Sequence, residues 1–159
     1  MLHRAASIVV AFLLPSIAAA EGVILSVFGA DGVAAAEYTL EQLDELDQVS
    51  YTTSNTFIDG EAVFSGPLIT TVLADANAEM TSDEAVKVTA INEYAVEIPG
   101  EDLANYDVIL ATRMNGEEMS IRDKGPIWVM YPISDFPELS DGLYSSRLIW
   151  QVSSLAPVE

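Results

Sequence analysis

The chain contains no cysteine, a single histidine (His3), and only 6 Lys+Arg against 25 Asp+Glu. Each shortage excludes chemistry. Without cysteine there is no disulfide, no thiolate nucleophile, no Cys-bound zinc and no iron–sulfur cluster. With its one imidazole at position 3, the chain has no Ser-His-Asp triad in any mature form that loses the N-terminus. A formal net charge of -19 excludes nucleic acid as a partner, because a phosphate backbone rewards clustered Lys and Arg. It argues equally against docking on anionic lipid. Half of the 159 residues are hydrophobic and 19% are charged, so the chain has the means to bury a core and is not an acidic disordered tail.

The first twenty residues read as an export signal. His3 and Arg4 form a short polar start, an apolar stretch runs from Ile8 to Ala20, and Ala18-Ala19-Ala20 offers a small-residue cleavage site before Glu21. The run is shorter than the roughly 20 apolar residues a spanning helix needs and is interrupted by Pro15. The rival reading is an uncleaved N-terminal anchor. A lipoprotein anchor is excluded, since it needs a cysteine. The expected organisation is a signal peptide over 1–20 and one domain over 21–159. The expected location is the periplasm, with no membrane attachment after cleavage; a cysteine-free domain suits that oxidising compartment.

Along the mature chain, Gly22–Phe28 reads as a strand closed by the Gly29-Ala-Asp-Gly32 turn. Thr39 and Gln42 have capping-box spacing, and Leu40, Leu43 and Leu46 repeat along the helix they open. Val49–Thr53 is a strand, and Ser54–Gly60 a polar loop. Phe64–Pro67 starts the next unit, with Pro67 placed in the first turn of a helix that ends near Asn77. Strands follow at Ala85–Ile91 and Ala95–Ile98, joined by the tight Asn92–Tyr94 connection. Pro99–Leu103 is a turn with a single loop of helix. Val108–Met114 and Glu117–Ile121 form a hairpin about Asn115-Gly116, both of which tolerate positive φ. Ile127–Tyr131 is a buried strand, residues 133–143 an acidic loop, and Arg147–Val152 the last strand. With about seven to nine strands and two helices, the expected fold is a mixed, β-rich α+β single domain.

The order of these pieces resembles the molybdopterin-binding domain of the sulfite-oxidase-type oxidoreductases. The likeness is carried by Tyr38-Thr-Leu-Glu-Gln-Leu43, Phe64-Ser-Gly-Pro-Leu68, Val86-Lys-Val-Thr-Ala90 and Tyr94-Ala-Val-Glu-Ile-Pro-Gly-Glu-Asp-Leu103. It continues through Ile109–Glu118, Gly125-Pro-Ile-Trp-Val-Met-Tyr-Pro132 and Arg147-Leu-Ile-Trp150, and so covers nearly all of residues 23–155. The resemblance implies that fold, and for family enzymes a molybdenum held by the pterin dithiolene and one protein Cys in the loop after the second strand. A soft thiolate suits that metal. The matching stretch here is Thr52–Gly60, which has none; Ser54 and Asp59 are its oxygen-bearing candidates, but loop Ser and Asp ordinarily satisfy turn backbone. The resemblance also implies basic donors for the pterin phosphate. Here Trp128 stands where that strand often has a base, and the loop Pro132–Gly142 carries Asp135, Glu138 and Asp141 without a Lys. The second, immunoglobulin-like dimerisation domain of longer relatives is not present in this chain.

The bases after the signal are Lys87, Arg113, Arg122, Lys124 and Arg147. Arg113, Arg122 and Lys124 flank one predicted hairpin, where they make an anion-binding corner or pair with neighbours such as Glu117, Glu118 or Asp123. Arg147 is an anion holder, a partner for an aromatic ring or a structural bridge. Trp128 and Tyr131, with Trp150 and Tyr94, are core packing or the lining of an aromatic cleft. The ligand-binding candidates are thus Arg113, Arg122, Lys124, Arg147, Trp128 and Tyr131. No catalytic residue and no metal ligand is assigned, since Asp135, Glu138 and Asp141 do not match a calcium loop.

The expectation is an exported module of this fold that lacks the metal-ligating thiolate and binds or assists. No cofactor is expected, molybdopterin entering by resemblance alone. Its partner would be an unidentified membrane redox or signalling subunit. The alternatives are a divergent molybdopterin oxidoreductase with a non-Cys ligand set, and a periplasmic ligand-sensing subunit for a signalling partner.

Overall fold

A computed structural model describes residues 22–158; the export segment expected over 1–20 lies outside them. Among the described residues the chain order is β1 (Leu25–Phe28), β2 (Ala34–Tyr38), α1 (Leu40–Glu45), β3 (Gln48–Ser54), β4 (Glu61–Pro67), α2 (Ile69–Asp75), β5 (Ala85–Ala90) and β6 (Ala95–Pro99). Then come α3 (Gly100–Asn105), β7 (Ile109–Ala111), β8 (Arg113–Met114), β9 (Glu117–Glu118), β10 (Trp128–Met130), α4 (Gly142–Arg147) and β11 (Val152–Val158). Short 3₁₀ turns lie at Ile121–Asp123 and Pro137–Ser140.

The strands form a five-stranded sheet ordered β2-β1-β11-β5-β6, a four-stranded sheet ordered β3-β4-β8-β9 and the pair β10-β7. Among the described residues only β1 and β11 run parallel; the other pairings are antiparallel. Alternation explains the faces of the large sheet: Leu25 and Val27 on β1, and Val86, Val88 and Ala90 on β5, point inward. In β11 a register shift between Val152 and Ser154 carries the inward positions from Val152 to Leu155. Pro157 is tolerated in this central strand because β1 pairs only with Ser154 and Leu155 and ends before reaching it. Every residue of β7 and β10 is buried, as expected of strands covered on both faces.

Local chemistry places the elements. Thr39 Oγ1 accepts from Gln42 N at 3.2 Å while Gln42 Oε1 accepts from Thr39 N at 2.8 Å, the reciprocal cap read from the sequence. Asn115 and Gly116 take φ of 53° and 81°, the pair of positive values a two-residue hairpin turn demands. Gly66 is required for a different reason: a Cβ there would lie 1.9 Å from the Leu110 carbonyl oxygen, so β4 and β7 meet only through a bare backbone.

Several expectations need correction. Ala34–Tyr38 forms an edge strand that its alanine run did not suggest; only Tyr38 is buried there. Pro67 ends β4, paired with Gln48, instead of opening α2, whose N-cap is Leu68. The return strand after the Asn-Gly turn is only Glu117–Glu118. The largest difference is at the end. Asp141 caps a helix through its carboxylate, which accepts from Leu143 N at 2.9 Å, so Gly142–Arg147 is helical and the last strand begins at Val152. The strand expected over Arg147–Val152 is interrupted at Gln151, whose φ of 55° lies in the left-handed region.

Candidate functional site

The basic candidates fall into separate settings. Arg113 on β8 reaches back to α1: its Nη2 lies 2.6 Å from Asp44 Oδ2 and 3.2 Å from Glu118 Oε1, and its Nη1 donates to Thr112 O at 3.2 Å. Lys124 stands over the Trp128 ring with Nζ 5.3 Å from the centroid. Arg122 is exposed on the 3₁₀ turn. The three residues that flank the hairpin therefore have different neighbours; the anticipated Glu118 does pair with Arg113, but its shorter ion pair is with Asp44, which is not one of the local acids. Asp44 lies 69 positions from Arg113, beyond what local sequence reveals.

Arg147, at the end of α4, is half of a more enclosed cluster. Its Nη1 lies 2.6 Å from Asp102 Oδ2, and the same oxygen accepts from the Tyr131 hydroxyl at 2.7 Å. Asp102 belongs to α3 and is only 7% exposed. Arg147 also sits over the Tyr144 ring, 5.3 Å from its centroid, and Tyr144 packs edge-on against Tyr131. Burial, then the hydrogen bond and charge of Asp102, hold the Tyr131 phenol far above the usual tyrosine range. The phenol therefore remains a donor, and the cluster locks α3, α4 and the end of β10 together. Asp102 is the residue that sequence reasoning passed over; its place beside the Pro-Gly turn in a helix-opening stretch was the available signal.

Trp128 and Tyr131 are buried, at 1% and 0% exposure, and so do not line an open cleft. Trp128 Nε1 donates to Leu148 O at 3.0 Å. Its ring meets Phe64 at 5.5 Å and Trp150 at 6.4 Å between centroids. A cavity of about 290 Å³ is bounded by Phe57 from the loop after β3, Asn92 and Tyr94 from the β5–β6 turn, and Ser145, Trp150 and Gln151 between α4 and β11. Of the sequence's aromatic candidates it gathers Trp150 and Tyr94; it adds Phe57, which nothing in its polar loop distinguished.

That loop is the one that the sequence resemblance aligns with the family's ligand loop. Here Phe57 N donates to Asn55 Oδ1 at 2.8 Å in a side-chain-closed turn. The Phe57 ring sits edge-on to Trp150, 5.0 Å between centroids. Ser54 N donates to Ser134 Oγ at 3.1 Å, and Ser134 Oγ donates to Glu61 Oε1 at 2.8 Å. Asp59 is exposed. Among the described residues no group of three or more His, Cys, Asp or Glu is placed to hold a metal ion. A molybdenum anchored by a thiolate, with a dianionic phosphate beside it, does not fit this donor set: the loop presents a phenyl ring and hydrogen-bonded hydroxyls, and Arg113 and Arg147 already face carboxylates.

The comparisons with known proteins agree with the fold. The sulfane dehydrogenase SoxCD from Paracoccus pantotrophus is a similar solved structure, with a TM-score of 0.62 and 16% identity over 84% of this chain. The match spans 37% of that chain, so the likeness is one of fold over a part of the larger protein. No curated protein sequence matches at a significant level. The family model for the oxidoreductase molybdopterin binding domain matches residues 14–134, from ahead of β1 to just beyond β10. The sulfite-oxidase-type resemblance read from the ordered motifs is therefore correct, and the chain belongs to the oxidoreductase molybdopterin-binding domain family.

Proposed function

We propose that this chain is an exported, non-catalytic member of its family, working in the periplasm as a binding or accessory module for a membrane-bound redox or signalling subunit. One observation carries the reading. The chain has no cysteine at any position, and the loop that matches the family's ligand loop holds Phe57 packed on Trp150. No thiolate from this polypeptide is available to the metal, and the replacement is an apolar ring, which offers no lone pair. Two of the four basic candidates, Arg113 and Arg147, are neutralised within the fold, which supports the same reading. The partner's docking face is expected to be basic, because the molecule's net charge of -19 disfavours an acidic one.

Expression with its own signal in a molybdate-supplied periplasm, followed by elemental analysis and detection of the oxidised pterin, tests the reading. The expected result is protein with far less than one molybdenum and one pterin per chain. Stoichiometric amounts of both would instead establish a divergent oxidoreductase, with Ser54 or Asp59 the oxygen donors to examine.

A further inference from the structure

The cavity beside Trp150 differs from the remainder of the aromatic structure. Trp128, Tyr131 and Phe64 are buried, whereas Phe57, Tyr94 and Trp150 are 38%, 56% and 38% exposed. These three rings line one opening of about 290 Å³, at the small end of ligand-sized cavities. Gln151, which follows Trp150 and also lines the cavity, has a left-handed backbone, φ 55°. The bend is held because Gln151 O accepts from Ile91 N at 2.9 Å and Gln151 N donates to Lys124 O at 3.2 Å. A non-glycine residue in this region is conformationally costly and is retained where surrounding structure enforces it.

The lining selects by charge. Its polar side chains, including Asn92, Ser145 and Gln151, are neutral, and neither Lys nor Arg is among them. A strongly hydrated ion loses its water there without gaining a partner. An anion additionally meets the field of a molecule with net charge -19. Asp59 and Glu93 are exposed on the loops that contribute Phe57 and Tyr94. A weakly hydrated organic cation has the opposite balance: the field attracts it, and aromatic faces hold it without requiring a carboxylate in contact. The chain already places cations on rings, Lys124 over Trp128 and Arg147 over Tyr144. Among the described residues no such cation covers Phe57, Tyr94 or Trp150.

We infer that this cavity binds a small organic monocation of the quaternary-ammonium class between Trp150, Phe57 and Tyr94. The inference rests on the binding-module reading, which the metal and pterin content tests separately, so the failure of one is distinguishable from the failure of the other.

The test is a calorimetric titration of the mature protein with choline and with its uncharged isostere 3,3-dimethylbutan-1-ol, with tryptophan fluorescence recorded in parallel. Choline is expected to bind saturably, and the isostere about tenfold or more weakly, as loss of the cation–aromatic attraction implies. Trp150→Ala and Tyr94→Ala are each expected to weaken choline binding by about tenfold. Tyr94 is exposed, so its variant keeps the test decisive if Trp150→Ala does not fold. Equal affinity for the two probes, no saturable choline binding, or unchanged affinity in Tyr94→Ala would overturn the proposal.

Discussion

Asp102 and Asp44 each hold an arginine at 2.6 Å, yet the two pairs differ in what their loss costs. The side chains of Arg147 and Asp102 are 13% and 10% exposed, whereas those of Arg113 and Asp44 are 22% and 35% exposed. Removing one partner of an enclosed pair strands the other's charge, which costs about 3 kcal/mol; a solvated pair contributes at most about 1 kcal/mol. Asp102→Asn should therefore lower the free energy of unfolding in urea by about 3 kcal/mol, with Tyr131 losing its anionic acceptor as well. Asp44→Asn should change it by less than about 1 kcal/mol. Equal effects would show that the Asp102 cluster is not the tie it is taken to be. The buried phenols make a second residue-scale prediction. Burial raises both Tyr51 and Tyr131 above the usual tyrosine value, reinforced by the neighbouring charges of Asp107 and Asp102 respectively. Above about pH 10 the unfolded chain gives up these protons while the folded chain keeps them. The unfolded state then binds fewer protons, so stability falls as pH rises, by up to about 1.4 kcal/mol per pH unit for each phenol. From neutrality to about pH 9 these two groups contribute no slope. Chemical denaturation from pH 8 to 11 checks this, and Tyr131→Phe should flatten the alkaline limb.

At the scale of elements, the helices are short. α1 and α3 each have 6 residues and α2 has 7, too few to persist without tertiary contacts. Their positions are set by the sheets they touch, and at Gly66 β4 and β7 approach closely enough to exclude a Cβ. Gly66→Ala would drive a methyl group into the Leu110 carbonyl, separating β4 from β7 at a cost of about 3 kcal/mol. A thermal-melt change within error of the parent would contradict that contact. The same comparison shows which elements were legible. The capping box at Thr39, the Asn115-Gly116 turn and the strands Ala85–Ala90 and Ala95–Pro99 depend on neighbouring residues, and the sequence carries those signals directly. The edge strand Ala34–Tyr38 does not: alanine has little strand preference, and the segment is strand because β1 offers an edge to pair with. The stretch after Tyr144 misled for the complementary reason. Its aromatic and branched residues look strand-like, but the Asp141 cap and the turn at Gln151 divide it into helix, bend and strand. Of the candidate site, Trp150 and Tyr94 were legible as aromatic candidates; Asp44 and Asp102 became partners only through contacts 69 and 45 positions away.

For the whole molecule, family membership and donor chemistry point in different directions. The fold is that of a molybdopterin-binding oxidoreductase domain, while the polypeptide supplies no sulfur ligand other than methionine thioethers. Fold alone does not carry an activity; the groups at the site do. On the proposed reading, the retained scaffold is a platform whose aromatic cavity and acidic surface are its working parts. Native mass spectrometry of the protein recovered from a molybdate-replete periplasm addresses that claim most directly. The account predicts a single species at the mass of the processed polypeptide, below the 17.1 kDa of the full chain. A dominant species heavier than that polypeptide by one molybdenum and one pterin would contradict it.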